Sequence, residues 1–319
     1  MFYFLLKIYA RLAIKIYCRR ILINKPEVLK SKGPLLIAAN HPNSFLDGII
    51  LTTLYDQPVH SLARGDAFQN KLIGRLLRRL QLLPVYRTSE GVENLEHNYT
   101  TFAACQETFK ENGIVLIFSE GRCENEWHLR PLKKGTARLA ISSWQQHIPL
   151  KVLPLGINYS SFKKFGKEVH LHFGETISSK AIDLTATQGK QLLDFNALLQ
   201  AQLEQNVYEL EEQDNTKAKK VFSVKKDASF YPLLLPGALG FFLHAPLYYL
   251  CKGMTEMRFR HSGHYDSVLT TLLLLSYPFY WLLLVLAAYS LQPAWALLVF
   301  LMMPFTAWAA VQVKYQLGL

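Results

Sequence analysis

The sequence predicts an α/β fold, a mixed and largely parallel sheet flanked by helices, with an N-terminal amphipathic helix and a C-terminal helical membrane region. Three observations carry this expectation. Short β-rich runs alternate with helix-length stretches between residues 35 and 173, as in successive βαβ units. Basic residues recur at every fourth position near the start, and from Phe230 to Val311 the chain is almost continuously apolar. The 319 residues suit one α/β domain with an addition. The predicted divisions are a surface helix over 1–29, an α/β body over 30–215, and a basic linker with membrane region over 216–319.

Lys7, Arg11, Lys15 and Arg19 fall on one slowly drifting stripe of a helix, with Phe4, Leu5, Ile8, Leu12 and Ile16 elsewhere on its surface. Such a helix lies in a lipid interface or covers the α/β body. Its cations run through the apolar stretch and no small-residue cleavage site follows, so it does not read as a signal peptide. The expected strands are Leu35–Ala39, Val59–Ala63, Leu82–Tyr86, Ile114–Phe118, Val152–Asn158 and Val169–Phe173. The expected helices between them are Phe45–Leu54, Phe68–Leu80, Val92–Lys110 and Gly135–Gln146. A polar amphipathic helix should run from about Lys190 to Gln213. Lys217, Lys219, Lys220, Lys225 and Lys226 follow it, which by the positive-inside rule places the α/β body on the cytoplasmic face. Val268–Ser290 and Pro293–Val311 are long enough to span a bilayer. Tyr231–Leu250 is interrupted by Pro232, Pro236, Gly237, Gly240 and Pro246, and the polar stretch 252–266 follows, so a re-entrant or interfacial segment is expected there.

The formal net charge of +11 calls for an anionic partner, and with a membrane tail that partner is lipid. No zinc-finger spacing or helix-turn-helix cue supports nucleic acid. The four cysteines, Cys18, Cys105, Cys123 and Cys251, lie far apart without CxxC pairing, which fits a reducing compartment, and no histidine pair has metal-ligand spacing.

Chemistry concentrates at strand ends, where α/β folds place their sites. Asn40-His41-Pro42-Asn43-Ser44-Phe45-Leu46-Asp47 follows the first expected strand. Pro42 biases His41 toward an extended backbone, so the histidine closes the strand and a helix starts near Ser44. Asp47 in its first turn either orients the imidazole or completes a Ser44 capping pattern, and the spacing leaves both open. Ile117-Phe118-Ser119-Glu120-Gly121-Arg122, followed by Arg130-Pro131-Leu132-Lys133-Lys134-Gly135, is either a phosphate seat or a solvated basic loop. Arg64 in Ala63-Arg64-Gly65-Asp66 and Arg87 in Leu83-Pro84-Val85-Tyr86-Arg87 reach an anion from neighbouring loops, or else pair with Asp66 and Glu90.

In this order the blocks resemble the glycerolipid acyltransferase family, which includes lysophosphatidate and glycerol-3-phosphate acyltransferases. The resemblance runs from about Lys30 to Phe173 and also takes in Val152-Leu153-Pro154-Leu155-Gly156-Ile157. The tail, with His244-Ala245-Pro246 and His264-Tyr265-Asp266-Ser267, is similar to the fungal-type glycerol-3-phosphate and dihydroxyacetone-phosphate acyltransferases. Five residues separate His41 from Asp47 where that family places four. Ser119 stands where it has proline, and Arg122 directly follows Gly121. The resemblance implies an O-acyltransferase in phospholipid synthesis with His41 as base and Asp47 orienting it. Asn43, Arg64, Arg87, Glu120, Gly121, Arg122 and Lys134 would bind the glycerol-phosphate acceptor. The co-substrate implied is acyl-CoA or acyl carrier protein, with no metal or other cofactor. Lysophosphatidate is the alternative acceptor. A serine hydrolase built on Ser44 lacks the G-x-S-x-G elbow, and a membrane scaffold would need no His41.

Overall fold

The computed structural model describes residues 2–86, 97–211, 220–222 and 228–316. Its centre is a seven-stranded sheet in the order β1-β7-β6-β2-β5-β3-β4. The strands are β1 (Cys18–Ile23), β2 (Leu35–Ala39), β3 (Val59–Arg64), β4 (Leu82–Val85), β5 (Ile114–Phe118), β6 (Lys151–Tyr159) and β7 (Lys167–Phe173). Every pairing is parallel except the hairpin of β6 with β7. β2 lies between β5 and β6 and is buried along its whole length. Its uninterrupted apolar sequence reflects this, because both faces of a central parallel strand are covered. Leu35, Ile37 and Ala39 enter one core layer and Leu36 and Ala38 the other.

On the first face pack α1 (Phe2–Tyr17) and α2 (Ser44–Leu54), through Ile14, Tyr17, Leu46, Ile50 and Leu51. On the second face lie α4 (His97–Lys110), α5 (Lys134–Gln145) and α6 (Gln188–Asn206), through Phe109, Ala137, Ile141, Trp144, Phe195 and Leu199. A short helix, α3 (Lys71–Arg79), joins β3 to β4, capped by Asn70, whose side chain accepts from the Leu72 and Ile73 amides. Residues 92–96 of the expected helix before β5 lie outside the described residues.

Two expectations are corrected here. The N-terminal helix ends at Tyr17 and the chain then enters the sheet as β1, parallel to β7. Arg19 and Arg20 disguise that strand in the sequence. Arg19 is half buried against Glu168, a pairing that no local pattern announces. Secondly, the stretch with several prolines and glycines does not form a re-entrant turn but one continuous helix, α7 (Leu234–Phe259), with Pro246 inside it, and the helix consumes much of the expected polar loop. Gly240 serves close packing: a Cβ there would lie 2.0 Å from the Thr306 carbonyl oxygen of α9 (Pro293–Gln316). The remaining tail helix is α8 (Tyr265–Leu291). All three tail helices are long and apolar enough to cross a membrane. α8 and α9 form an antiparallel hairpin. α7 runs antiparallel to α8, with the Tyr280 hydroxyl donating to the Leu243 carbonyl and Cys251 beside Ser276. It also runs antiparallel to α9, with Gly237 against Val313 and Gly240 against Thr306.

Candidate active site

His41 follows the end of β2 and Asp47 sits in the first turn of α2. The His41 Nδ1 and Asp47 Oδ2 are 2.9 Å apart, with the imidazole 14% exposed and the carboxylate fully buried. The same Oδ2 accepts the Asn43 amide proton at 2.9 Å, and Oδ1 accepts the Tyr159 hydroxyl at 2.7 Å. One carboxylate therefore both caps the helix start and orients the histidine. A buried carboxylate at Nδ1 holds the proton there and leaves Nε2 as the acceptor. Burial raises the Tyr159 pKa well above its usual value, so this hydroxyl stays a donor. The His41 ring also stacks on Phe118, centroids 3.8 Å apart and planes 11° from parallel, which fixes its tilt.

Ser44, one of the five residues between His41 and Asp47, has a φ of +51°, in the left-handed region. Few non-glycine residues adopt that conformation, and it persists only where the surroundings hold it. Here Ser44 N donates to Cys123 Sγ at 2.8 Å and Ser44 Oγ meets His264 Nδ1 at 2.6 Å. The serine thus pairs with a histidine from the tail instead of with His41, and the N-cap is Asn43, without a side-chain cap bond.

Behind this loop the Asn40 amide replaces strand pairing, donating to the Ile157 carbonyl at 3.1 Å and accepting the Ile157 N–H at 2.7 Å. Glu120 accepts from the His41 amide at 2.8 Å and from the Arg130 amide at 3.0 Å. Burial pushes its pKa up to about 7, outweighing those two amide donors, and the Asp47 charge adds to the rise. Because the folded-state value is raised, this group stabilises the fold most below pH 4.5, and the contribution fades as pH climbs to about 7. Relative to Glu120→Gln, the natural protein should lose about 3 kcal/mol of stability over that interval. Detergent-solubilised unfolding midpoints of both proteins between pH 4 and pH 8 measure it, and parallel curves would contradict the assignment.

Beside the dyad opens a cavity of about 2360 Å³. Tyr3, Leu6 and Ala10 of α1, Phe45 and Ile49 of α2, and Leu274 of α8 contribute an apolar lining. Arg64, Arg122, Lys133, Lys134 and Arg138 contribute cations to the same cavity.

The residues singled out in the sequence fare unequally. His41, Arg64, Glu120, Gly121, Arg122 and Lys134 all line the cavity. Arg64 pairs with Asp66, and Arg122 with Glu124 at 3.1 Å, so both cations carry an anionic neighbour already. Gly121 has φ +72°, and a Cβ there would lie 2.9 Å from Lys133, which explains glycine at that turn. Asn43 is placed elsewhere: it is fully buried, and its amide donates to Asp266 Oδ2 at 2.6 Å, so it braces the loop from behind. Arg87 lies outside the described residues. Sequence reasoning passed over Arg138, one helical turn beyond Lys134, although the i,i+4 spacing signals a shared face. Tyr159 gave no signal, because its role depends on strand register alone. Among the described residues no group of three or more His, Cys, Asp or Glu side chains could hold a metal ion.

Comparison with known proteins matches a family model, Acyltransferase, to residues 20–158. Glycerol-3-phosphate O-acyltransferase 1 of Saccharomyces cerevisiae is 33% identical over 73 residues, 22% of this chain and 10% of that protein. The 1-acyl-sn-glycerol-3-phosphate acyltransferase of Bacillus subtilis is 30% identical over 115 residues, 36% of this chain and 53% of that protein. The matches thus span about half or less of those relatives. A crystal structure of the 1-acyl-sn-glycerophosphate acyltransferase PlsC from Thermotoga maritima superposes with a TM-score of 0.44 and 12% identity, covering 69% of this chain and 80% of that one. β2, β5 and the His41–Asp47 loop fall inside the matched residues, as do most of β1 and nearly all of β6, whereas α1, β7 and the three apolar tail helices fall outside them.

Proposed function

We propose that this chain moves a fatty acyl group from a thioester donor, acyl-CoA or acyl carrier protein, to a hydroxyl of a glycerol-phosphate acceptor at a membrane. The observation that carries the reading is the His41–Asp47 dyad opening on a cavity lined both by apolar side chains and by cations. His41 Nε2 takes the proton of the acceptor hydroxyl as its oxygen bonds to the thioester carbonyl carbon. The tetrahedral intermediate then expels the thiolate, which recovers that proton from the imidazolium. No acyl-enzyme is needed. Asp47 stabilises the charged imidazolium, and Tyr159 holds the carboxylate in place. Lys134, Arg122 and Arg64 would bind the acceptor phosphate, with Lys134 beginning α5 where the helix N-terminus also favours an anion. Glu120 and Gly121 shape that loop, and Arg87 is a further candidate cation.

The preferred acceptor is glycerol 3-phosphate, because the fungal-type tail motif His264-Tyr265-Asp266-Ser267 adjoins the dyad loop. Lysophosphatidate is the second reading, favoured by the resemblance to the Bacillus protein. Assays in micelles with each acceptor at matched concentrations separate them. A preference for glycerol 3-phosphate in kcat/KM is expected, and turnover with lysophosphatidate alone would reverse the choice. The basic run before α7 supports a cytoplasmic face for the catalytic domain.

A further inference from the structure

Helix α3 is divided lengthwise by its sequence, Lys71-Leu72-Ile73-Gly74-Arg75-Leu76-Leu77-Arg78-Arg79. At the pitch of an α-helix Lys71, Arg75, Arg78 and Arg79 share one arc, while Leu72, Ile73, Leu76 and Leu77 share the opposite one. Gly74 is the buried residue of the helix, and a Cβ there would lie 2.8 Å from the carbonyl oxygen of Phe68, in the turn that leads into it. Most of both arcs is exposed, with Leu77 half buried. Leu72 is 74% exposed, Ile73 50% and Leu76 46%. The four cations surround a depression of about 520 Å³ floored by Phe68 and Gly74, with Arg78 over the Phe68 ring. No acidic residue occurs between Asp66 and Glu90.

We propose that α3 seats in the plane of an anionic phospholipid surface, its leucine and isoleucine side chains in the acyl boundary and its cations among the headgroup phosphates. Lone apolar residues on a surface need no explanation, but three on one arc opposite four cations have the composition of an interfacial helix. The long Lys and Arg stems let their charges reach phosphates beside the buried face. Position supports the same occupant. Leu76 and Leu77 line the large cavity together with Leu274 and Leu275 of membrane helix α8 and with Leu6 of α1. α1 itself turns Phe4, Leu5, Ile8 and Leu12 outward. The cavity is therefore lined by a membrane helix and by two helices with outward apolar faces, and α3 would set it at the lipid surface independently of the reaction it serves.

The test places a nitrobenzoxadiazole label on Ile73→Cys in the full chain, reconstituted in phosphatidylcholine vesicles with or without phosphatidylglycerol, and measures quenching by acyl-chain spin-labelled lipid. Leu193→Cys, 71% exposed on α6, is the reference site, and unsubstituted protein corrects for labelling at Cys123. Quenching at position 73 should exceed that at 193 several-fold, and only with phosphatidylglycerol present. Arg75→Gln and Arg79→Gln should each weaken seating roughly fivefold, the worth of one cation near an anionic surface. Added salt should do the same to the unmutated helix. Equal quenching at the two sites, or indifference to phosphatidylglycerol, would overturn the proposal. Protection of position 73 in detergent by an acidic carrier protein, without quenching in vesicles, would give the surface to a protein partner and overturn it too.

Discussion

His41→Ala should lower acceptor-dependent turnover by roughly 10²- to 10⁴-fold, the usual worth of a positioned general base, and leave the fold intact. The imidazole contributes little to the core, since only its ring face on Phe118 and its bond to Asp47 would be lost. Asp47 keeps its bonds to the Asn43 backbone N–H and the Tyr159 hydroxyl in that variant, so the buried carboxylate is not stranded. Circular dichroism should therefore be unchanged while kcat collapses. A protein that unfolds would return the histidine to a structural role, and one that keeps its rate would remove it from the chemistry.

Asp266→Ala should cost about 3–5 kcal/mol of stability, because it strands a fully buried ammonium. Asp266 opens α8 and is paired with Lys167 of β7, with neither side chain exposed. The Tyr17 hydroxyl of α1 and the Asn43 side-chain amide donate to the same carboxylate. The next residue, Ser267, donates to the Asn43 carbonyl at 2.9 Å and accepts from the Leu46 amide at 3.1 Å. One turn of α8 thus holds the His41–Asp47 loop from behind. Removing both charges, Asp266→Ala with Lys167→Met, should recover much of the stability, since replacing a buried pair by apolar groups is often nearly neutral. Activity should stay low, because the Asn43 amide still lacks its acceptor. Denaturant titrations in micelles alongside initial rates follow the two effects separately. If the single variant is as stable as the natural protein, the buried pair does not brace the loop.

Much of this architecture is legible from local pattern. β2 and β5 have the boundaries expected, because each is a short apolar run closed by turn chemistry, and both faces of each are covered. β1 is hidden because Arg19 and Arg20 read as a continuing basic helix until the distant partner Glu168 is in view. α7 was obscured by its glycines, which break an isolated helix but let this one approach α9 closely. In the site, the strand-end histidine and the carboxylate six residues on announce themselves. What spacing cannot show is that Ser44 takes a left-handed conformation, or that Asn43 points away from the cavity toward Asp266. Both depend on contacts more than two hundred residues away in sequence, where local rules carry no information.

The measurement that bears most directly on the account is thiol release from acyl-CoA by purified, detergent-solubilised protein, with and without glycerol 3-phosphate, for the natural chain and for His41→Ala. Release that requires the acceptor and disappears in the variant is the predicted result. Release that proceeds equally without acceptor, or survives loss of His41, would contradict direct acyl transfer by this dyad.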